Sequence, residues 1–180
     1  MKKAFKTAVL VSVALLAASL AAPAVASDSF KIGIGGGATF TAGDFSTLYK
    51  TGWNGTVRAL WVPVPLLGLR VAGYYGQNAP SDSLGGSIKN ASLYGAEANA
   101  VVMLGSGTSG FYFNGGLGFR SLQQKISFAG SETTTTNSQV SYNAGAGVSM
   151  GYFFAEANAV YFAISGVNMW SFPVTVGIQF

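Results

Sequence analysis

The sequence predicts an all-β protein, an eight-stranded antiparallel transmembrane up-and-down β-barrel. Three observations lead there. Apolar and polar residues alternate with period two in eight segments of about ten residues. The segments are joined by connections that alternate between short and long. Charged residues make up 9% of the chain, whereas a water-soluble domain carries roughly a quarter. So few charges cannot cover a water-facing exterior, and the abundant aromatics argue against disorder.

The first 26 residues read as a secretory signal peptide. Lys2, Lys3 and Lys6 precede an uncharged run from Ala8 to Ala22, and Ala24-Val25-Ala26 forms a small-x-small cleavage signature. Residues 27–180 then form a single barrel domain. Of ten Lys and Arg, three leave with the signal, so seven face six acids and the net charge falls from +4 to about +1. A basic nucleic-acid-binding surface is therefore not expected. The chain has no cysteine, which excludes a lipoprotein anchor, disulfides and thiolate metal sites.

The strands follow in order. In 30–40, Phe30, Ile32, Ile34, Ala38 and Phe40 oppose Lys31, Gly33, Gly35, Gly37 and Thr39. In 53–62, Trp53, Val57, Ala59 and Trp61 oppose Asn54, Thr56 and Arg58. In 69–77, Leu69, Val71 and Tyr75 oppose Arg70, Tyr74 and Gln77. In 93–104, Tyr94 and Ala96 to Val102 at alternate positions oppose Glu97 and Asn99. In 111–120, Phe111, Phe113, Leu117 and Phe119 oppose Tyr112, Asn114 and Arg120. In 139–150, Val140, Tyr142, Val148 and Met150 oppose Ser141, Asn143 and Ser149. In 153–161, Phe153, three alanines and Tyr161 oppose Glu156 and Asn158. The last strand sets Phe172, Val174, Val176, Ile178 and Phe180 against Pro173, Thr175, Gly177 and Gln179. Residues 157–180 carry no charge and could pass for a membrane helix, but Pro173, the glycines and this alternation mark strands. Segments 63–68, 105–109 and the junction near Gly151 are expected as short turns. Segments 42–51, 78–92 and 121–138 are expected as longer polar loops, and 163–170 as a moderate link.

The apolar faces should point at lipid. The opposite faces have too few charges for an exterior, and their glycines and small polar residues suit a narrow filled lumen. Trp53 and Trp61 lie eight residues apart, roughly 20 Å of depth after strand tilt, the spacing of two aromatic girdles. Tyr75, Tyr94, Tyr161 and Trp170 are the other girdle candidates. The hexapeptide AEANAV occurs at 96–101 and at 155–160, each time placing an acid between outward alanines. Glu97 and Glu156 thus face inward with Arg58, Arg70 and Arg120, with Lys31 joining near an end, and an ion-pair network is expected to plug the barrel. These charges pin the register, because a one-residue slip would expose each arginine to lipid at roughly 2–4 kcal/mol.

The sequence resembles the small eight-stranded outer-membrane barrels of the OmpA/OmpX type. The resemblance covers 27–180, and its most specific element is the end VTVGIQF, with Phe180 last and apolar residues at alternate positions before it. It implies a Gram-negative outer membrane with its lipid and lipopolysaccharide. It also implies recognition of Phe172, Val174, Val176, Ile178 and Phe180 by the barrel assembly machinery, termini in the periplasm and longer loops outside the cell. It carries over no catalytic motif.

Other chemistries are weaker. GIGGGA at 33–38 fits a loose dinucleotide fingerprint but has no helix after it. Its glycines are expected to thin the lumen wall, and no cofactor is expected. The chain has no histidine, which removes Ser-His catalysis and His metal ligation; it is not expected to be an enzyme. Glu97 and Glu156 as a paired-carboxylate site would need different environments, and three nearby arginines would keep both ionised. The expected role is structural or surface-interaction, in envelope integrity or adhesion, with loops 78–92 and 121–138 as candidates for a surface ligand. The alternative is a narrow channel or small-solute pore, favoured if the lumen glycines leave a water path and opposed if Tyr74, Tyr112 and the arginines fill it.

Overall fold

The computed structural model describes residues 29–81, 88–105, 109–128, 131–164 and 167–180. The expected signal segment, 1–26, lies outside the described residues. Eight strands form a closed antiparallel barrel in which each pairs with its sequence neighbours and the last returns to the first. They are β1 (Phe30–Gly43), β2 (Tyr49–Val64), β3 (Leu67–Pro80), β4 (Ile88–Leu104), β5 (Gly110–Phe128), β6 (Ser131–Met150), β7 (Phe153–Ile164) and β8 (Val167–Gln179). One short helix, α1 (Asp44–Leu48), sits between β1 and β2. The seam between β1 and β8 runs from Gly33 opposite Gln179 to Gly43 opposite Met169. Residues 157–180 hold the end of β7 and all of β8. Among the described residues no helix is long and apolar enough to cross a membrane.

The barrel is inverted relative to a soluble one. Val71 is 59% exposed and Phe113 54%, whereas Arg70 and Arg120 are each 2% exposed. The outward faces of β1 and β8 expose Ile34, Phe40, Phe172, Val174, Val176, Ile178 and Phe180. A surface of this kind is stable only where hydrocarbon replaces water, and closure of the sheet satisfies its backbone groups there.

The strands are longer than their alternation suggested, and the loop expectations are corrected accordingly. The β5–β6 ladder continues from Ser121 opposite Ser138 out to Phe128 opposite Ser131, so 121–128 and 131–138 are paired strands and not a loop. Beyond Leu122, which enters the core, Gln123 to Lys125 and the facing Thr134 to Thr136 are polar on both faces, which erases the period-two signal. Segment 42–51 contains the end of β1, α1 and the start of β2, and 78–92 surrenders its ends to β3 and β4. The link 163–170 is mostly strand, with β7 ending at Ile164 and β8 starting at Val167.

The two ends of the barrel differ. At the terminus end the turns are tight. Gly151 supplies a left-handed residue (φ 58°) for the β6–β7 turn. At the β2–β3 turn that conformation falls to Leu66 (φ 74°), whose carbonyl accepts the Met103 N–H at 2.8 Å. A leucine there is strained. Leu66→Gly is expected to raise stability by about 1 kcal/mol after glycine's own entropic cost, seen as a higher urea midpoint in lipid vesicles.

The lumen is not polar throughout, which corrects that expectation. At the hairpin end, Phe45 of α1, Tyr49, Leu93, Leu122, Phe162 and Met169 form a buried apolar cluster. At the terminus end, Leu60, Val62, Val101, Met103 and Tyr112 form another. Strand ends there are apolar on both faces, so the inward residues carried no alternation signal. Between the two clusters lies the charged section.

Candidate functional site

The charged section is built by strand parity. Arg58 on β2, Arg70 on β3, Glu97 on β4, Arg120 on β5 and Glu156 on β7 all occupy inward positions, while Ala96, Ala98 and Ala157 beside the acids are exposed. The two AEANAV segments therefore present small apolar side chains to lipid and one carboxylate each to the interior.

The five charges form one chain. Arg120 Nη2 donates to Glu97 Oε2 at 2.7 Å. Arg70 Nη2 donates to Glu97 Oε1 at 3.4 Å, and its Nη1 donates to Glu156 Oε2. Arg58 Nη1 lies 3.4 Å from the same Glu156 oxygen. Tyr112 accepts from Arg58 Nη1 at 3.0 Å and donates to Glu156 Oε2 at 2.8 Å. Amides add to the shells: Asn99 donates to Glu97 at 3.1 Å, Asn158 donates to Glu156, and Asn114 accepts from Arg70 at 3.1 Å.

Three guanidiniums against two carboxylates leave one excess positive charge. Aromatic faces take it up: Arg58 stacks 3.4 Å from the Phe154 centroid and Arg120 lies 4.0 Å from the Tyr74 centroid. The network also spans the seam. Gln179 of β8 accepts from Arg58 Nη2 at 2.6 Å. Thr175 of β8 donates to Asn54 of β2 at 2.9 Å, Asn54 to Thr39 of β1 at 3.1 Å, and Thr39 meets Tyr74 of β3 at 2.9 Å.

Lys31 stands outside this network, contrary to expectation. It sits too near the terminus end to reach an acid, and its exposed Nζ donates to the Gly151 carbonyl at 3.3 Å. Several inward glycines lie under aromatic rings. A Cβ at Gly177 would lie 2.6 Å from Phe154 Cζ, and one at Gly35 2.8 Å from the same atom. The Tyr112 ring covers Gly147 in the same way. These three glycines make room for large rings from neighbouring strands. A cavity of about 10 Å³ remains beside Arg58, Arg70, Tyr112 and Gln179, barely the space of one water. Among the described residues no cluster of three metal-ligating side chains occurs.

The aromatic candidates divide unevenly. Trp53 packs on Tyr75 at 5.6 Å and Tyr161 on Trp170 at 5.0 Å, and Tyr94 pairs with Tyr75. These five lie toward the hairpin end. Trp61, opposite Phe30, is the one candidate toward the terminus end. Exposed Phe111, Tyr152, Phe153 and Phe180 share that end. They escaped the girdle reading because they adjoin turns. Gln179, Phe154, Asn114 and Asn158 were likewise missing from the expected network, although their inward parity was readable.

No family model and no curated protein matches the chain. Solved structures do match. The attachment invasion locus protein Ail of Yersinia pestis is 17% identical over 86% of this chain and 100% of that one, with a TM-score of 0.66. The N-terminal β-barrel domain of Pseudomonas aeruginosa OprF is 15% identical over 86% and 98%, with a TM-score of 0.55. The outer membrane protein OprG of Pseudomonas aeruginosa is 12% identical over 84% and 96%, with a TM-score of 0.51. At such identities the likeness shows the fold, that of small eight-stranded outer-membrane barrels.

Proposed function

We propose that this chain is a surface-interaction protein of the Gram-negative outer membrane, with a closed lumen and a tall sheet of β4, β5 and β6 that meets other surfaces. The observation that carries the reading is an unequal pair of ladders. β6 pairs with β5 along its length, from Ser149 opposite Gly110 to Ser131 opposite Phe128. Its ladder with β7 begins only at Ser141 opposite Phe162. Residues 131–140 thus have no ladder partner on their second side among the described residues. Every second residue there turns its N–H and C=O outward. Proteins normally blunt such an edge with lysine, proline or a bulge, and residues 131–140 (SETTTTNSQV) contain no lysine or proline and a single charge, Glu132.

The likeness to a protein named for attachment and invasion supports the same reading. The apolar belt takes outer-membrane lipid and lipopolysaccharide as its surroundings. The outward Phe172, Val174, Val176, Ile178 and Phe180 are read by the assembly machinery. The aromatic residues at the two ends act as interfacial girdles, and no enzymatic step is assigned.

Conductance tests the closed lumen. The chain lacking 1–26, refolded so that its gel mobility shifts between unboiled and boiled samples, is expected to be silent in a planar bilayer. Discrete steady openings would overturn the reading in favour of a channel.

A further inference from the structure

We infer that a groove along β4, on the outer wall of the barrel, seats one acyl chain of a bilayer lipid. This goes beyond the surface-interaction reading, since it concerns the wall inside the membrane and not the free edge.

The groove follows from side-chain size on three strands. Its floor is the first AEANAV segment, where Ala96 and Ala98 face outward and are exposed. Val71 of β3 and Leu117 of β5 pair on either side of Ala98 and stand as its walls. One step toward the hairpin end, Ala96 lies between Gly73 and Phe119. A Cβ at Gly73 would meet no atom within 4 Å. A cavity of about 740 Å³ opens over these residues.

Width and depth select the occupant. Strands β3 and β5 lie two ladder spacings apart, roughly 9.5 Å. A carbon chain touching both walls at about 3.5–4 Å fills that gap, whereas a helix needs about 10–12 Å. A second barrel, convex like this one, rests on the rims. The outward side chains of the groove are all apolar, and they open into hydrocarbon. At the hairpin end of the groove stand Tyr75 and Tyr94, opposite each other. Gln77 Nε2 donates to Tyr75 Oη at 2.9 Å. The Tyr75 O–H is left to donate to the ester carbonyl at the head of an acyl chain.

The second AEANAV segment is a control at the same depth. Ala157 lies between Ala146 and Val174, a shelf walled on one side only. Following the ladders once round the barrel from Ile32 returns to Ala42, ten residues on. The row from Ala98 thus climbs about four residues over three strands to reach Tyr161. Ala157 sits four residues below Tyr161, level with Ala98.

Photo-crosslinking in vesicles tests the seat. The probe is a phosphatidylcholine with a diazirine midway along one acyl chain. Mass spectrometry locates its adducts on the refolded chain lacking 1–26. Identical residues at equal depth cancel differences in reactivity. Residues 96–101 are therefore expected to carry about threefold more adducts than 155–160, because a chain in the groove meets protein on three sides. Ala98→Phe should bring the two segments level, and Ala157→Phe should leave the excess in place, each with an unchanged gel shift. Equal labelling of the two wild-type segments would overturn the seat without need of a variant. So would an excess that survives Ala98→Phe in a folded sample. Loss of the excess as protein density in the vesicles rises would overturn it in favour of a second copy.

Discussion

Glu156→Gln is expected to destabilise the barrel by about 3–5 kcal/mol, the cost of leaving buried charge without its partner. The size follows from counting charges between the two apolar clusters. The wild-type section holds three guanidiniums and two carboxylates. Without Glu156 it holds three and one, and the excess doubles in a space sealed from water. One oxygen of Glu156 accepts from Arg58, Arg70 and Tyr112 together, so a single substitution removes the negative charge that three donors share. Arg70 is 2% exposed and Arg58 5%, and neither can turn to solvent. Arg70→Met should cost less, because it leaves two guanidiniums facing two carboxylates. The double variant, Glu156→Gln with Arg70→Met, should therefore be more stable than Glu156→Gln alone, by about 1–2 kcal/mol. Urea titration of the refolded variants in lipid vesicles, followed by gel shift, measures all three. A Glu156→Gln cost under about 1 kcal/mol would mean that the network is hydrated and contributes little.

The residues of this network were legible because the barrel wall imposes two environments on alternate positions. A carboxylate between alanines makes sense in one register only, and the same holds for Arg70 between Leu69 and Val71. The apolar cluster at the terminus end was not legible for the opposite reason. Val101 and Met103 face inward beside outward Val102 and Leu104, and a run that is apolar on both faces says nothing about which face is which. The top of the β5–β6 hairpin fails in the mirror sense. Gln123 to Lys125 opposite Thr134 to Thr136 are polar on both faces, so a strand looked like a loop. Helix α1 is five residues long, too short for a periodic signal, yet its Phe45 is fully buried in the apolar cluster at the hairpin end. Composition reported what surrounds the barrel, and parity reported what fills its middle. How far the sheet rises beyond the barrel depends on long-range pairing, which neither signal contains. That height creates the free edge on which the functional reading rests.

The inversion of the barrel has its sharpest test one residue from the network. Val71→Arg is expected to cost about 2–4 kcal/mol in a bilayer, the penalty of an arginine near the midplane of a lipid-facing wall. Val71 lies midway between Leu67 and Tyr75 on the outward face of β3 and is 59% exposed. In water such a position would accept arginine within about 0.5 kcal/mol. The preceding residue is already an arginine, buried and paired with both acids. Adjacent positions on one strand should thus respond oppositely to the same side chain, which stabilises at 70 and destabilises at 71. Depth is the control. Val64→Arg, at the terminus end of β2, should cost about 1 kcal/mol or less, since an arginine there reaches the interface. Urea midpoints of the two variants in vesicles decide the matter. Equal small costs at 64 and 71 would mean that the apolar wall does not sit in hydrocarbon, and the transmembrane assignment would fall with it.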